Sequence, residues 1–198
     1  MVMQYAADGS LRKLLDKRYG VLTWNEKIFI LYFIARDLNQ IHKAGLIHKD
    51  FHSGNIVNRS TIISSITDFG LCRPVSEDSK TDQGKLYGML PYVALELLKG
   101  KEYTQESDIY SFGIIMTEVL TGYPPYHNIL YDNNLVMRIH QGLHPKIKCE
   151  VLKLLLNIVN KCLDAELQNR STALNLKYVL GKCLCDLKEK NNFINKLN

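Results

Sequence analysis

Apolar residues fall at helical spacing through the first third of the chain, where Ile30, Ile34, Leu38 and Ile41, with Phe33 beside them, predict an amphipathic helix. In front of it Thr23-Trp24-Asn25-Glu26 reads as a capping box. Thr23 takes the Glu26 amide and Glu26 reaches back to Thr23. Gly45 supplies the stop. Short β-branched segments follow, Ile56-Val57 and Ile62 to Ile66, whose polar boundaries predict a small hairpin.

From Asp68 to Glu96 periodicity is lost among Gly, Pro, Ser, Asp and Lys. A loop that long inside a compact domain is usually functional or mobile. Order returns at Ser107: Ile109, Phe112, Ile115, Met116 and Val119 predict a helix apolar nearly all round, hence a buried one, ended by Gly122 and Pro124-Pro125. Val151, Leu155, Ile158, Val159 and Cys162 line a further amphipathic helix. Leu176, Val179, Leu180, Cys183 and Leu187 line another, with a tail that frays from about Lys188. The pattern contains no internal repeat and predicts one compact unit, mainly α with a small β component (α+β).

Composition narrows the class. At 198 residues and 46% apolar the chain can bury a core. Its longest apolar run, Ile28 to Ala35, is far short of the roughly 20 residues of a membrane span. Met1 to Ala7 lacks the basic start of a signal peptide, so cytoplasm, or nucleus, is the expected location. The net charge is +5, but the basic residues are scattered and not interleaved with stacking aromatics, which argues against nucleic acid. No two of the five cysteines have the spacing of a zinc or redox motif. Cys183 and Cys185 should face different ways on a helix, and buried reduced thiols are the expectation.

Candidate chemistry gathers in Ile47 to Val57, which reads I-H-K-D-F-H-S-G-N-I-V. Asp, Ser, Gly and Asn are turn formers, so a plain polar loop accounts for the stretch on its own. Asp68 changes the picture. A hairpin folding back would bring it near Asp50 and Asn55, and two carboxylates with an amide oxygen are hard donors suited to Mg²⁺ carrying phosphates. A carboxylate not used for metal could accept a hydroxyl proton.

His48-Lys49-Asp50-Phe51 to Asn55, Asp68-Phe69-Gly70, Ala94-Leu95-Glu96, and Asp108 to Gly113 resemble four parts of eukaryotic protein kinases in order and spacing. These parts are the catalytic loop, the magnesium motif, the end of the activation segment and the buried helix. The resemblance implies a kinase-domain fragment over 1–187, in which 1–7 are the last small-lobe strand and the hinge and 8–187 the helical C-terminal lobe, with a tail over 188–198. It implies ATP and Mg²⁺ as cofactors and a protein as substrate. Asp50 would accept or orient the substrate hydroxyl, while Asn55 and Asp68 would hold Mg²⁺. At the hinge Gln4 and Ala6 would present main-chain groups to the adenine, guarded by Met3. Asp8 would reach the ribose or, equally, form a turn with Gly9. The resemblance also makes His48 a post beneath Phe69, Asp108 a buried acceptor for loop amides, and Arg170 the partner of Glu96.

Departures from the family pattern matter too. The chain contains no glycine-rich loop, no strand lysine for the phosphates and no helix glutamate to pair with it. The resemblance thus covers the large lobe and one strand, and little activity is expected of these 198 residues alone. Lys49 stands for the usual Arg, which keeps charge but loses the bidentate fork. His52 stands where many Ser/Thr kinases place Lys, Leu95 replaces a Pro, and Met89 replaces a common Thr. His-Ser-Gly-Asn and Leu-Pro-Tyr-Val-Ala are similar to the tyrosine-kinase-like branch, whose members mostly act on Ser/Thr. Ser76, Ser79, Thr81 and Tyr87 are candidate phosphosites. Two readings follow: a Ser/Thr protein kinase, or a kinase-derived binding module that scaffolds a regulatory protein partner without catalysis.

Overall fold

The computed structural model of the chain describes residues 9–75, 86–147 and 153–197. The described elements run α1 (Leu11–Arg18), α2 (Trp24–Lys43), β1 (Leu46–Ile47), β2 (Ile56–Asn58), β3 (Ser64–Ile66), β4 (Arg73–Pro74), α3 (Leu95–Leu98), α4 (Gln105–Thr121), α5 (Asn133–His140), α6 (Lys153–Cys162) and α7 (Ala173–Leu197). This is the mainly helical α+β arrangement that the hydrophobic pattern predicts.

Helix α4 forms the centre because it has no polar face to leave in water: every residue from Ser107 to Leu120 is buried. Helix α2 packs against both α4 and α7, and its Ile30, Leu31, Ile34, Ala35 and Leu38 are fully buried. Burial of each such Leu or Ile side chain is worth about 1.5–3 kcal/mol. The capping box is present, with Thr23 Oγ1 accepting the Glu26 amide at 3.2 Å and Glu26 Oε2 accepting the Thr23 amide at 2.8 Å. Helix α7 packs on α2 and buries Leu176, Leu180, Cys183 and Leu184. Helix α6 closes on α4 through Leu155, Ile158, Val159 and Cys162.

The hairpin β2–β3 is antiparallel, with Ile56 opposite Ile66 and Asn58 opposite Ser64. Its buried polar pair is satisfied internally, since Ser64 Oγ donates to Asn58 Oδ1 at 2.7 Å. The Asn58 backbone and side-chain N–H groups both donate to the Gly9 carbonyl, at 2.9 and 3.2 Å. The entry to α1 is thereby fixed to the hairpin.

Several features depart from the expected pattern. Helix α4 begins at Gln105 because Thr104 and Ser107 cap each other reciprocally. A short α3 and a two-residue pairing, β1 with β4, interrupt the stretch expected to be irregular. Helices α1 and α5 are two turns each, too short to declare a period, and tertiary contacts hold them. Arg12 of α1, for instance, donates to Glu118 Oε1 at 2.9 Å and to the Gly122 carbonyl at 2.7 Å. The backbone of α7 is helical to Leu197. Cys162 and Cys183 are buried, but Cys185 is exposed, as alternate helix faces require and against the expectation of buried thiols. Cys149 and Val151 lie outside the described residues. No described helix is long and apolar enough to cross a membrane.

Candidate active site

The polar loop after β1 hangs from the N-terminal turn of α4. Asp108 Oδ2 accepts the His48 amide at 2.9 Å, and Oδ1 accepts the Lys49 amide at 3.2 Å. His42 Nε2, from the last turn of α2, approaches the same Oδ2 at 3.0 Å. Three elements therefore converge on one carboxylate that is 1% exposed. These bonds hold Lys49 at φ 68°, a left-handed backbone rarely adopted by a side-chain-bearing residue. His48 is fully buried; its Nε2 bonds the Thr67 carbonyl at 3.0 Å and its ring lies 5.6 Å from that of Phe69. The expected post beneath Phe69 is in place.

Asn55 carries the central contact. Its Nδ2 donates to both the carbonyl and Oδ2 of Asp50, each at 3.0 Å. The amide nitrogen is thus turned toward Asp50, and Asn55 Oδ1 meets no described protein donor. The hairpin then brings the chain back: the Thr67 amide and hydroxyl both donate to the Asn55 carbonyl at 2.9 Å. Asp68 follows directly, at φ 61°, with Oδ1 accepting the Gly70 amide at 3.4 Å. Asn55 and Asp50 are bonded directly, and the hairpin returns the chain so that Asp68 stands next to Thr67, which bonds Asn55.

This donor set fits a magnesium–phosphate ligand better than a bare cation. Among the described residues no group of three or more His, Cys, Asp and Glu is gathered to hold a metal. Mg²⁺ needs few protein oxygens when phosphates complete its shell. Asn55 Oδ1 is a hard oxygen left open by the local hydrogen bonding, and Asp68 adds a carboxylate whose Oδ1 alone takes a local bond, from the Gly70 amide.

Beside Asp50 stands His52, its side chain 13% exposed and its Nε2 3.4 Å from Asp50 Oδ1. Burial lowers the His52 pKa below its ordinary value, and the negative charge of Asp50 only partly opposes this. A floor to the site comes from the segment after residue 86. Gly88, at φ 92°, approaches so closely that a side chain there would begin 3.3 Å from Asp50 Oδ1. That segment is clamped: Tyr103 Oη accepts the Tyr87 amide at 2.6 Å and donates to the Tyr87 carbonyl at 2.8 Å. Lys49 Nζ lies 5.4 Å from the Tyr103 ring centroid. Further along, Arg170 forks onto Glu96 with two bonds of 2.8 Å, the pairing expected from sequence. Leu95, in place of a proline, is buried at the start of α3.

Met3, Gln4, Ala6 and Asp8, expected at the hinge, lie outside the described residues, as do Ser76, Ser79 and Thr81. Sequence reasoning missed the approach of Gly88 to Asp50 and the Tyr103 clamp. Neither has a spacing signal, because both join segments far apart in the chain.

A loop suspended from a buried helical aspartate, with an asparagine bonded to a second aspartate and a third at the end of a hairpin, is the arrangement that the resemblance to the large lobe of protein kinases implies. The family model for protein tyrosine and serine/threonine kinases matches residues 1–180, and the chain belongs to that family. A probable serine/threonine-protein kinase of Clostridium acetobutylicum is 30% identical over 198 residues, covering 98% of this chain and 29% of the relative. The calcium/calmodulin-regulated receptor-like kinase 2 of Arabidopsis thaliana is 30% identical over 82% of this chain and 40% of its own length. The serine/threonine-protein kinase PknD of Mycobacterium tuberculosis is 35% identical over 60% of this chain and 18% of its own length. The chain therefore spans well under half the length of these relatives.

Proposed function

We propose that the chain is the large lobe of a protein kinase that transfers the terminal phosphate of ATP to Ser or Thr hydroxyls of a protein substrate. The observation that carries this reading is the pair of hydrogen bonds that Asn55 Nδ2 donates to the carbonyl and Oδ2 of Asp50. It leaves one carboxylate aimed for a proton and one amide oxygen open for a cation. Kinship with proteins named serine/threonine kinases supports the choice of acceptor.

In this mechanism Asp50 orients the substrate hydroxyl and accepts its proton as the oxygen attacks. Asn55 keeps the carboxylate in its rotamer, and Asp108 keeps the loop beneath it in its strained conformation. Asn55 Oδ1 and Asp68 would hold Mg²⁺, which when bound neutralises charge on the phosphate oxygens. Gln4, Ala6 and Asp8 remain assigned to the nucleotide through the family resemblance alone.

The test is transfer from labelled Mg-ATP to a generic protein by the full-length natural protein, beside Asp50→Asn. The expected loss is about 10²–10⁴-fold, the range for removing a general base. Equal transfer by both proteins would refute the assignment. Label on tyrosine alone would overturn the Ser/Thr acceptor.

A further inference from the structure

His52 has two ring nitrogens in two different polar contacts. The Gly54 amide donates to Nδ1 at 3.0 Å, so Nδ1 presents its lone pair and the proton of the neutral ring sits on Nε2. The Nε2 atom stands 3.4 Å from Asp50 Oδ1, within ion-pair range and longer than an ordinary hydrogen bond. Such contacts are often long in the absence of substrate and tighten when it binds. The ring cannot swing freely. Tyr92 flanks it at 5.8 Å between centroids, and a Cβ at position 54 would come within 2.7 Å of the ring, so glycine is what lets the imidazole lie against the loop.

We propose that His52 is a positioning residue for Asp50, a neutral imidazole whose Nε2–H fixes Oδ1 of the carboxylate as Asn55 fixes Oδ2. With both oxygens held, Asp50 keeps one orientation toward the incoming hydroxyl. The bridge depends on an acceptor and a donor at opposite ends of one rigid ring. A lysine at 52 would offer donors alone and could not accept the Gly54 amide. His52 therefore contributes orientation where a cation would contribute charge.

The turnover readout rests on the kinase reading; a second readout does not. His52→Asn retains an oxygen that can accept the Gly54 amide but loses the donor to Asp50. His52→Gln carries an N–H at about the reach of Nε2. In the full-length protein His52→Asn should lower kcat roughly tenfold, as expected for losing one donor to a charged acceptor. The KM for ATP should stay unchanged, and His52→Gln should recover most of kcat. The reverse ordering, which a purely turn-holding role would give, overturns the proposal. Equal kcat in all three proteins overturns it too. Nitrogen NMR of histidine-labelled protein should find the Nε2–H tautomer at His52, with its resonance displaced in Asp50→Asn. An Nδ1–H tautomer or an unmoved resonance overturns the inference whatever the turnover. A displaced resonance in a protein that transfers no phosphate sinks the kinase reading and leaves the His52 contact standing.

Discussion

Glu96 and Arg170, 74 residues apart in sequence, meet through two parallel hydrogen bonds of 2.8 Å, with side chains 4% and 0% exposed. Arg170 also donates to the carbonyls of Glu106 and Asp164, and its guanidinium lies 5.2 Å from the Tyr110 ring centroid. One side chain thus ties α3, the start of α4 and the turn before α7 together. Removing it strands a buried carboxylate. Arg170→Ala should destabilise the fold by about 3–5 kcal/mol, the scale for breaking a buried pair on one side. Arg170→Lys keeps charge but loses the fork, and should fall between. Urea unfolding of the three proteins checks the order.

Gly88 is tested separately from stability. At φ 92°, with space for a Cβ only 3.3 Å from both Asp50 Oδ1 and the Lys49 carbonyl, the position both strains a side chain and directs it at the Asp50 carboxylate. Gly88→Ala should cost about 1–3 kcal/mol from the backbone conformation. It should also lower phosphate transfer more than matched destabilisation does. A variant of equal melting temperature altered far from the loop is the control. Equal activity in the two would contradict a direct approach of Gly88 to Asp50.

Two helical glycines should respond in opposite directions to the same change. A methyl at Gly113 in α4 would sit 2.8 Å from Cys162 Cβ and from Leu163 Cδ2, so α6 must move. Overpacking of this kind costs about 1–3 kcal/mol. At Gly181 in α7 the nearest atom is Tyr32 Cε2 at 3.3 Å, the edge of a ring that lies partly exposed. There the gain in helix propensity, about 1 kcal/mol, should win. Denaturant midpoints should fall for Gly113→Ala and rise for Gly181→Ala.

Acid sensitivity should trace in part to His144. Its Nδ1 is buried without a partner, and burial lowers its pKa from the ordinary 6.5. A histidine depressed in the folded state supports stability above the unfolded pKa. That support is lost as pH falls through 6.5 toward the folded value, because the unfolded chain then binds the proton more readily. The denaturant midpoint should therefore drop between pH 7.5 and pH 5.5, and drop less in His144→Gln. An identical drop in both proteins would exclude His144 as a contributor.

Legibility in the sequence followed the range of the interactions. The capping box at Thr23, the all-round apolar helix from Ile109 to Val119 and the αL stop at Gly122 are local, and the structure has each of them. Asp50, Asn55 and Asp68 could be singled out as candidates because nineteen residues of loop and hairpin, 50–68, hold all three. Glu96 with Arg170, and Asp108 beneath His48 and Lys49, were anticipated by family resemblance, since nothing in their spacing reports a contact across more than fifty residues. Helices α1 and α5 escaped notice because two turns fix too few periodic positions, and Arg12 on Glu118 stabilises α1 only after α4 is in place.

The chain by itself determined the long helices α2, α4, α6 and α7, the hairpin β2–β3 and which side chains are candidates for chemistry, because caps, period and turn residues act within a few residues of one another. Only the tertiary structure decided the orientations. It turned Asn55 Nδ2 onto Asp50, set His52 between the Gly54 amide and the Asp50 carboxylate, and brought Gly88 against the same oxygen. Those choices are made by packing the loop on α4 and clamping the segment at Tyr87 to Tyr103, contacts between parts of the chain that have no reason to meet until the core has formed.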